Sequence, residues 1–238
     1  MRHFGIIGYP LLHSFSAKYF NEKFEREKID AEYSLYPMKA LTDERMNELM
    51  GSLAGFNVTL PYKQAVIPYL ERLDETAEVI GAVNVVHQRV GYNTDCLGFM
   101  QSIQPLLRDY DRQALVLGTG GASKAVCYGL RKLGVEPTLV SRTPRPGMFG
   151  YADLDAAVMA QYTVVVNCTP LGMLPDVDSC PAIPYELITA RHLLFDCVYN
   201  PEETLFLRKG KAQGATIRNG MEMLTGQAQA AWRIWNKE

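Results

Sequence analysis

The sequence lacks a surplus of charge of either sign and lacks long apolar runs. Its 238 residues include 24 lysines and arginines against 26 aspartates and glutamates, a formal net charge of −2. This balance offers no basic surface for nucleic acid, and no apolar stretch approaches the ~20 residues of a membrane span. The opening segment MRHFGIIGYP holds too short an apolar run for a signal peptide. We therefore expect a cytoplasmic protein that binds neither nucleic acid nor a membrane.

Cysteine is sparse and forms no motif. The five cysteines, Cys96, Cys127, Cys168, Cys180 and Cys197, are odd in number and include no C-x-x-C pair. Disulfide frameworks and zinc sites have cysteines at paired, regular spacings, which this chain does not show. We expect reduced thiols and no bound metal.

Strand and helix patterns alternate up to about residue 95. FGIIG, AEYSLYPM and AGFNVTL are typical of buried strands, and DERMNELMGSL is typical of a helix. A helix is predicted after Ser14 or Ser16, either of which suits the N-cap position. Another is predicted from Pro61 to about Leu70, since proline suits the first helical position. With the short hairpin predicted in AVNVVHQRVGYNTD, the alternation indicates an α/β layer with a mostly parallel sheet.

The second half repeats the alternation, starting with a strand, a glycine turn and a helix in QALVLGTGGASKAVCYGLRKLG. Further strands are predicted in PTLVSRT, YTVVVNCTP, HLLFDCVYNP and ATIRNG. Helices are predicted in DLDAAVMAQ, EETLFLRKGKAQG and the final MEMLTGQAQAAWRIW. This order is typical of a doubly wound, Rossmann-like domain. The hydrophobic content of 47% suits one large or two modest domains.

The glycine turn VLGTGGAS carries the first chemical signal. Gly118, Gly120 and Gly121 lie between an apolar strand and an amphipathic helix. Because these residues have no side chain, the N–H groups at the helix N-terminus can approach a pyrophosphate closely. The motif predicts a dinucleotide site, and the alternative is a tight turn without a ligand.

The end of the next strand indicates which dinucleotide binds. An NAD site has an acidic residue there, about 20 positions after the glycines, for the ribose 2′-hydroxyl. This chain has Ser141, Arg142 and Thr143 instead. A guanidinium and two hydroxyls match the charge and geometry of a 2′-phosphate, so NADP is favoured over NAD. The alternative for Arg142 is a solvated loop arginine.

Polar residues at the ends of elements in the first half suggest a substrate pocket. Ser14 and Ser16 lie at a helix N-terminus, where two hydroxyls suit a carboxylate. Thr59, Asn84 and Asp95 come at strand or hairpin ends, which face the ligand crevice in open α/β sheets. Each has a structural alternative: strand packing for Thr59, a turn for Asn84 and a helix cap for Asp95.

Lys63 stands alone as a cation in FNVTLPYKQAV, in the first turn of a predicted helix. The helix dipole disfavours a cation at that position, so the residue raises the question of a function. The alternative is a surface lysine whose alkyl chain packs on the core.

The chain resembles the shikimate dehydrogenase family. Nine segments carry the resemblance, in family order over nearly the whole chain: GYPLLHSFS, FNVTLPYK, GAVNVV, YNTDCLGF, VLGTGGASKAV, SRT, NCTPLGM, DCVYNPEET and NGMEMLTGQA. The combination of NVTLPYK, NTD and GMEML with QA is more specific than the glycine turn. The resemblance implies an NADP-dependent, reversible reduction of 3-dehydroshikimate to shikimate in the chorismate pathway of aromatic amino-acid biosynthesis.

The resemblance also implies roles for individual residues. Lys63 and Asp95 match the catalytic pair, with Lys63 as the proton-transfer group. The implied substrate residues are Ser14 and Ser16 for the carboxylate, Thr59, Asn84, Asp95 and Gln227 for the ring hydroxyls, and Tyr199 nearby. The implied cofactor residues are Gly118, Gly120, Gly121, Ala122, Ser123, Arg142, Thr143, Thr169, Val198 and Gly220, to which the strand end adds Ser141.

The implied organisation has two domains. Residues 1–95 and 221–238 would form the substrate-binding domain, and residues 96–220 the Rossmann-like NADP-binding domain. The expected partner is a small-molecule substrate, and the protein is expected to be a monomer or a homodimer.

The chain departs from the family pattern at four positions. Ala17 and Phe20 stand where a proline and a histidine are usual, Cys96 stands where a glycine is usual, and Arg145 comes one place early. The departures leave the catalytic pair intact and bear on ring selectivity or affinity.

Three alternatives remain open. The same pocket could be adapted to quinate, which has a saturated ring and an added hydroxyl. The enzyme could also accept a wider range of substrates or cofactors. The chain could be a regulatory homologue that binds NADP without catalysis. The presence of both Lys63 and Asp95 argues against this alternative. A two-domain dehydrogenase of the folate type is disfavoured by the paired serines and Gln227.

Overall fold

The structure, a computed structural model, describes residues 1–12 and 14–236 and divides the chain into two compact units. The first unit is Met1–Thr94 with the C-terminal segment that begins at Ala228, and the second unit is Asp95–Gln227. The functional domain boundaries given above stay a prediction. Among the described residues, no helix combines the length and the apolar character that crossing a membrane requires.

The first unit is built on a six-stranded mixed sheet. Its strands are β1 (Arg2–Gly8), β2 (Ala31–Pro37), β3 (Gly55–Val58), β4 (Arg72–Leu73), β5 (Val85–His87) and β6 (Val90–Tyr92). Its helices include α1 (Phe15–Glu27), α2 (Asp43–Ser52), α3 (Tyr62–Ala65) and α4 (Glu75–Ile80). The strand order is β2-β1-β3-β5-β6-β4, and three of the five neighbouring pairs are parallel.

Strand β1 distributes its side chains between two cores. Phe4 and Ile6 belong to one apolar cluster and Ile7 to the other, because successive residues of a strand point to opposite faces of the sheet. Helix α1 contributes Phe20 and Phe24 to the cluster of Phe4. The sheet is therefore buried on both faces at β1, and polar residues are displaced to its ends.

The helix predicted over residues 61–70 is wrong in extent. The α-helix covers only Tyr62–Ala65, and a 3₁₀ turn follows at Ile67–Tyr69. Pro68 explains the break, because proline has no N–H to donate and its ring clashes with the carbonyl four residues earlier. Lys63 thus lies in a four-residue helix, which is too short to have an appreciable helix dipole.

The second unit is built on a six-stranded sheet in which every neighbouring pair is parallel. Its strands are β7 (Gln113–Leu117), β8 (Glu136–Ser141), β9 (Phe149–Gly150), β10 (Val164–Asn167), β11 (Leu193–Asp196) and β12 (Thr216–Arg218). Its helices include α5 (Asp95–Ile103), α6 (Gly121–Lys132), α7 (Ala156–Gln161), α8 (Leu205–Ala212) and the start of α9 (Met221–Asn236). The strand order is β12-β11-β10-β7-β8-β9.

The predicted fold class is confirmed: an α/β chain with a mostly parallel first sheet and a doubly wound, Rossmann-like second sheet. Strands β4 and β9 were not predicted, since two residues are too few to show a periodicity. In β7, Ala114 and Val116 pack with α5 and α6, whereas Leu115 and Leu117 pack with α7 and α8. Helices therefore cover both faces of this sheet, and ligand-binding residues are expected at the carboxyl ends of its strands.

Candidate functional site

Helix α1 begins directly after Ser14, which occupies the N-cap position with an extended backbone. Within the described part of the chain, the Ser14 side chain makes no capping hydrogen bond, so the helix does not consume its hydroxyl. Ser16 lies in the first turn of α1 and is 6% exposed. Two hydroxyls therefore flank a helix N-terminus, as carboxylate binding requires; that binding stays a prediction.

A buried network connects Ser16 to the middle of the first sheet. The Tyr33 hydroxyl donates to the side-chain oxygen of Asn57 at 2.6 Å, and Ser16 lies within hydrogen-bonding reach of the same hydroxyl. Asn57 donates in turn to the main-chain carbonyl of Asn84 at 3.1 Å. Burial raises the pKa of Tyr33 well above its usual value, so the hydroxyl keeps the proton that it donates to Asn57.

Tyr33 and Asn57 were not predicted from the sequence. Asn57 is a carboxamide inside β3, a strand whose four residues are all buried. A polar side chain in such a strand is costly unless it is hydrogen-bonded, and that cost is the signal that could have found it. Phe20, one of the departures from the family pattern, stacks on the Tyr33 ring at 5.0 Å between centroids and so holds it in place.

Thr59 and Lys63 follow the carboxyl end of β3. The N–H of Thr59 donates to the carbonyl of Ile7 at 2.9 Å, which places Thr59 where β1 and β3 end side by side. The carbonyl of Lys63 accepts the N–H of Val83 at 2.7 Å. This bond ties the Lys63 backbone to the segment that leads into Asn84.

Asn84 is buried, and its side chain holds the end of the hairpin. Its Nδ2 donates to Thr94 Oγ1 at 2.9 Å, and the Thr94 N–H donates to Asn84 Oδ1 at 2.7 Å. Asp95 comes next in sequence, opens α5 and is 6% exposed. The helix dipole favours a carboxylate in the first turn. The pairing of Asp95 with Lys63 stays a prediction.

Gln227 lies on α9, next to the helix that Asp95 opens. Its Nε2 donates to the carbonyl of Leu224 in its own helix at 2.9 Å. Helix α9 crosses α5 at Gly98, where a Cβ would lie 2.2 Å from the Met223 carbonyl oxygen and 2.8 Å from the Gln227 nitrogen. Only glycine permits that approach, so Gly98 sets the position of Gln227 against α5.

The glycine turn joins β7 to α6, as predicted. Gly118 has a φ of +103°, a conformation that side chains disfavour, and Gly120 is the N-cap of α6. Among the described residues, and leaving aside Gly120 and its two neighbours in the chain, no atom lies within 4 Å of the position that a Gly120 Cβ would take. Open space before the N-terminus of a 12-residue helix is what a pyrophosphate needs to reach the N–H groups. The residues present therefore fit a dinucleotide.

Ala122 and Ser123 lie in the first turn of α6. Ser123 is buried, and its hydroxyl donates to the carbonyl of Gly120 at 2.6 Å. This bond occupies the one proton of the hydroxyl, so the side chain of Ser123 shapes the turn. A cofactor contact at Ser123 would be made by its main-chain N–H.

The carboxyl end of β8 lies beside the glycine turn. Strand β8 pairs in parallel with β7 and ends at Ser141, and the N–H of Gly118 donates to the carbonyl of Val140 at 2.9 Å. Arg142 and Thr143 follow and are exposed. The N–H of Thr143 donates to Ser141 Oγ at 3.2 Å, so Ser141 braces the loop that carries Arg142.

Asp196, at the end of β11, is a hydrogen-bond hub that was not predicted. Its carboxyl accepts Asn167 Nδ2 at 2.9 Å, Thr204 Oγ1 at 2.6 Å and the N–H of Val198 at 3.0 Å. Burial raises the pKa of Asp196 from 3.8 to about 6, although the three hydrogen bonds lower it. Asn167 also accepts the N–H and the hydroxyl of Thr169 at 3.0 and 2.6 Å. The hub therefore orders the loops of Thr169 and Val198.

The predicted cofactor residues of the second unit gather at one edge of its sheet. The N–H of Gly220 donates to the carbonyl of Val198 at 3.1 Å, and a Cβ on Gly118 would lie 3.1 Å from Thr169 Cγ2. Tyr199 follows Val198 and is half-buried. Contact between these residues and NADP stays a prediction.

Known proteins resemble this chain over its whole length. Residues 6–86 match the family model described as the shikimate dehydrogenase substrate binding domain. The shikimate dehydrogenase (NADP(+)) of Symbiobacterium thermophilum is 36% identical over an alignment of 257 positions. The alignment covers 97% of this chain and 87% of the relative. The enzyme of the same name from Desulforamulus reducens is 33% identical over an alignment of 259 positions, which covers 97% of this chain and 88% of the relative.

Solved structures show the same similarity. The shikimate 5-dehydrogenase of Thermus thermophilus, in complex with NADP(H) and shikimate, has a TM-score of 0.89 and 31% identity, with 100% of this chain and 94% of the other covered. The shikimate dehydrogenase of Aquifex aeolicus has a TM-score of 0.89 and 32% identity, with 100% and 93% covered.

Proposed function

The chain belongs to the shikimate dehydrogenase family, and from that premise we propose the reaction that it performs. It is an NADP-dependent oxidoreductase that acts on a CH–OH group. Its reaction is the interconversion of 3-dehydroshikimate and shikimate, a step of the chorismate pathway to the aromatic amino acids. Its substrate is a small anionic ring compound with several hydroxyls.

The observation that carries the cofactor assignment is the turn between β7 and α6. Gly118 takes a left-handed conformation there, and the space over Gly120 is open. We assign the pyrophosphate to the main-chain N–H groups of this turn and the 2′-phosphate to Arg142 and Thr143. Val198 and Gly220 are assigned to the nicotinamide end. When bound, NADPH supplies the hydride, and the protein supplies binding and orientation.

The substrate is assigned to the polar residues that end the strands of the first unit, with help from α9. Ser14 and Ser16 receive the carboxylate, because their hydroxyls stand at the N-terminus of α1. The ring hydroxyls are assigned to Thr59, Asn84, Asp95 and Gln227. Tyr199 is assigned a place near the substrate.

Lys63 is assigned the proton transfer. Addition of hydride to the ketone leaves an alkoxide that must gain a proton, and the reverse reaction must lose one. A positioned general acid or base contributes about 10²–10⁴-fold to the rate. The hydrogen bond from Val83 to the Lys63 carbonyl restrains the backbone that carries the amine. Asp95, a buried carboxyl, is assigned as the second member of the catalytic pair.

A direct assay tests the proposed function. Purified protein is offered shikimate or quinate, each with NADP or NAD, and the absorbance of the reduced nicotinamide is followed. The fastest turnover is expected with shikimate and NADP. Faster turnover with quinate would identify a quinate dehydrogenase instead. No turnover, with NADP still bound in calorimetry, would identify a non-catalytic homologue.

We propose further that the protein works in the cytoplasm as a monomer or homodimer. The scattered cysteines, which include no C-x-x-C motif, support the cytoplasmic location. Light scattering of the purified protein measures the assembly directly. A mass of one or two chains is expected, and a larger assembly would contradict the proposal.

A further inference from the structure

Two thiols meet at the carboxyl edge of the second sheet. Cys168 follows β10 and Cys197 follows β11, and these strands pair with Asn167 opposite Asp196. Cys168 and Cys197, the residues that come next, are therefore also neighbours across the two strands. The two sulfur atoms lie 3.7 Å apart, although the residues are 29 positions apart in the sequence.

The pair is a hydrogen-bonded dithiol. Both residues are partly exposed, whereas Cys96 and Cys127 are buried. The hydrogen bond with Cys197 and burial raise the pKa of Cys168 well above its usual value, so Cys168 keeps its proton.

The main-chain spacing suits a bond between the sulfurs. Neighbouring strands lie about 4.8 Å apart, and disulfides span Cα distances of about 4.4–6.8 Å. The sulfurs would need to approach from 3.7 Å to about 2.05 Å. A modest shift of the two loops provides this approach.

The main chain of both cysteines lies against glycines of the predicted cofactor site, most tightly at Gly220. A Cβ on Gly220 would lie 2.3 Å from the Cys197 carbonyl oxygen, and one on Gly118 would lie 3.5 Å from the Cys168 carbonyl carbon. Both glycines are assigned to the cofactor, as are the residues that follow each cysteine. Movement of either cysteine therefore displaces groups that are assigned to NADP.

We propose that Cys168 and Cys197 form a modification site that reacts with a hydroperoxide such as hydrogen peroxide. One thiolate attacks the O–O bond and becomes a sulfenic acid, while the departing hydroxide takes up the thiol proton as water. The other thiol then displaces the sulfenic hydroxyl as a second water, and the S–S bond forms. Two thiols lose two electrons and two protons, and the peroxide is reduced to two waters. A dithiol reductant reverses the step by exchange.

The disulfide lowers the affinity for NADP and slows turnover. This consequence rests on the proposed function, whereas the thiol chemistry does not. A misplacement of about 1 Å in an active site can cost on the order of 10²-fold in rate. Bound NADP protects the pair in return, because coupling between two sites is reciprocal.

The test compares the reduced wild-type protein with Cys168→Ser, Cys197→Ser and the matched control Cys180→Ser after one equivalent of hydrogen peroxide. Wild type and Cys180→Ser are expected to lose two hydrogen atoms in intact mass and to yield a non-reduced peptide that joins the two segments. Both also lose NADP affinity in calorimetry, and dithiothreitol restores it. Cys168→Ser and Cys197→Ser form no link and keep their NADP affinity.

A wild-type protein that retains both thiols under excess peroxide overturns the modification site, even where a serine variant fails to fold. A linked protein that binds NADP as tightly as the reduced one overturns the consequence for the cofactor. Failure of the proposed function is visible separately: the reduced wild type then turns over no shikimate, while the mass change still reports on the cysteines.

Discussion

The side-chain amide of Asn167 donates a hydrogen bond to the carboxyl of Asp196 at 2.9 Å, across strands β10 and β11. Both residues are 0% exposed. The bond links the last residues of β10 and β11, directly before the two loops that hold the predicted nicotinamide end of the cofactor site. Since Thr204 and Val198 donate to the same carboxyl, one buried acid orders the whole edge of the sheet.

The buried acid makes stability depend on pH. Burial raises the pKa of Asp196 from 3.8 to about 6, so the folded protein holds this proton more tightly than the unfolded chain does. The resulting stability is fully present below about pH 4 and is lost as the pH rises through about 6. At 1.36 kcal/mol per pKa unit, the loss is about 3 kcal/mol.

Asp196→Asn removes this titration, and the Thr204 hydroxyl can turn to accept from the new amide. Urea unfolding of variant and wild type is compared at intervals from about pH 4 to 7. Relative to wild type, the variant is expected to gain stability as the pH rises from about 4 to about 6 and then to keep a constant difference. A difference that does not change with pH would contradict the assignment.

Lys63→Ala is expected to reduce turnover by about 10²–10⁴-fold, because the alkoxide loses its proton donor. NADP affinity should remain as in wild type, which calorimetry measures. Lys39→Ala is the matched control, since it removes the same charge from an exposed position in the first unit. Near-normal turnover of Lys63→Ala would remove this lysine from the mechanism.

Arg142→Ala is expected to weaken NADP binding by about 1.5–3 kcal/mol, the usual contribution of a hydrogen bond to a charged group. NAD has no 2′-phosphate, so its affinity should change far less. Arg145→Ala, also in the exposed loop, serves as the control. Titrations of both cofactors decide the matter, and equal losses for NADP and NAD would refute the 2′-phosphate role.

Gly120→Ala is expected to change NADP affinity without changing the stability of the fold. Open space surrounds the new methyl group among the described residues, and the φ of −80° suits alanine, so the unfolding free energy should stay within about 0.5 kcal/mol of wild type. The methyl group would occupy the approach of the pyrophosphate, and NADP affinity should fall. Gly51→Ala adds a methyl group in similarly open space on α2 and should leave NADP affinity intact. Unchanged affinity in Gly120→Ala would place the pyrophosphate elsewhere.

Tyr33→Phe tests the buried network behind the serines. Loss of the hydroxyl leaves Asn57 without its 2.6 Å donor, at a cost of about 1–3 kcal/mol. The KM for shikimate should rise while the KM for NADP stays constant. Tyr69→Phe is the control, because its hydroxyl donates to the Leu41 carbonyl at 3.1 Å outside this network. An unchanged KM for shikimate in Tyr33→Phe would show that the network only supports the fold.

Features that depend on sequence neighbours were predictable. Hydrophobic periodicity locates the long strands and helices, and the glycine turn before α6 is visible in the sequence because its function needs residues without side chains at adjacent positions. The α-helix predicted over residues 61–70 ends at Ala65 for a local reason, because Pro68 has no N–H to donate and clashes with the preceding turn. Ser123 was predicted in the cofactor loop, but the partner of its hydroxyl was not.

Contacts between distant residues were not predictable. Tyr33 and Asn57 are 24 positions apart, and Cys168 and Cys197 are 29 apart. Strand register decides such pairs, and a slip of one residue would turn each side chain to the opposite face. No pattern within either segment specifies that register.

By itself, the sequence determined an α/β chain in two parts, with a glycine turn ahead of one helix and an arginine in place of an acid at the end of the following strand. These properties depend on residues that are adjacent in the chain. Only the tertiary structure decided that Asp196 gathers Asn167, Thr204 and Val198, that Ser16 reaches Asn57 through Tyr33, and that two scattered cysteines touch. The physical reason is that parallel strands from separate stretches of chain align their ends, so each polar side chain finds its partner only after the sheet has formed.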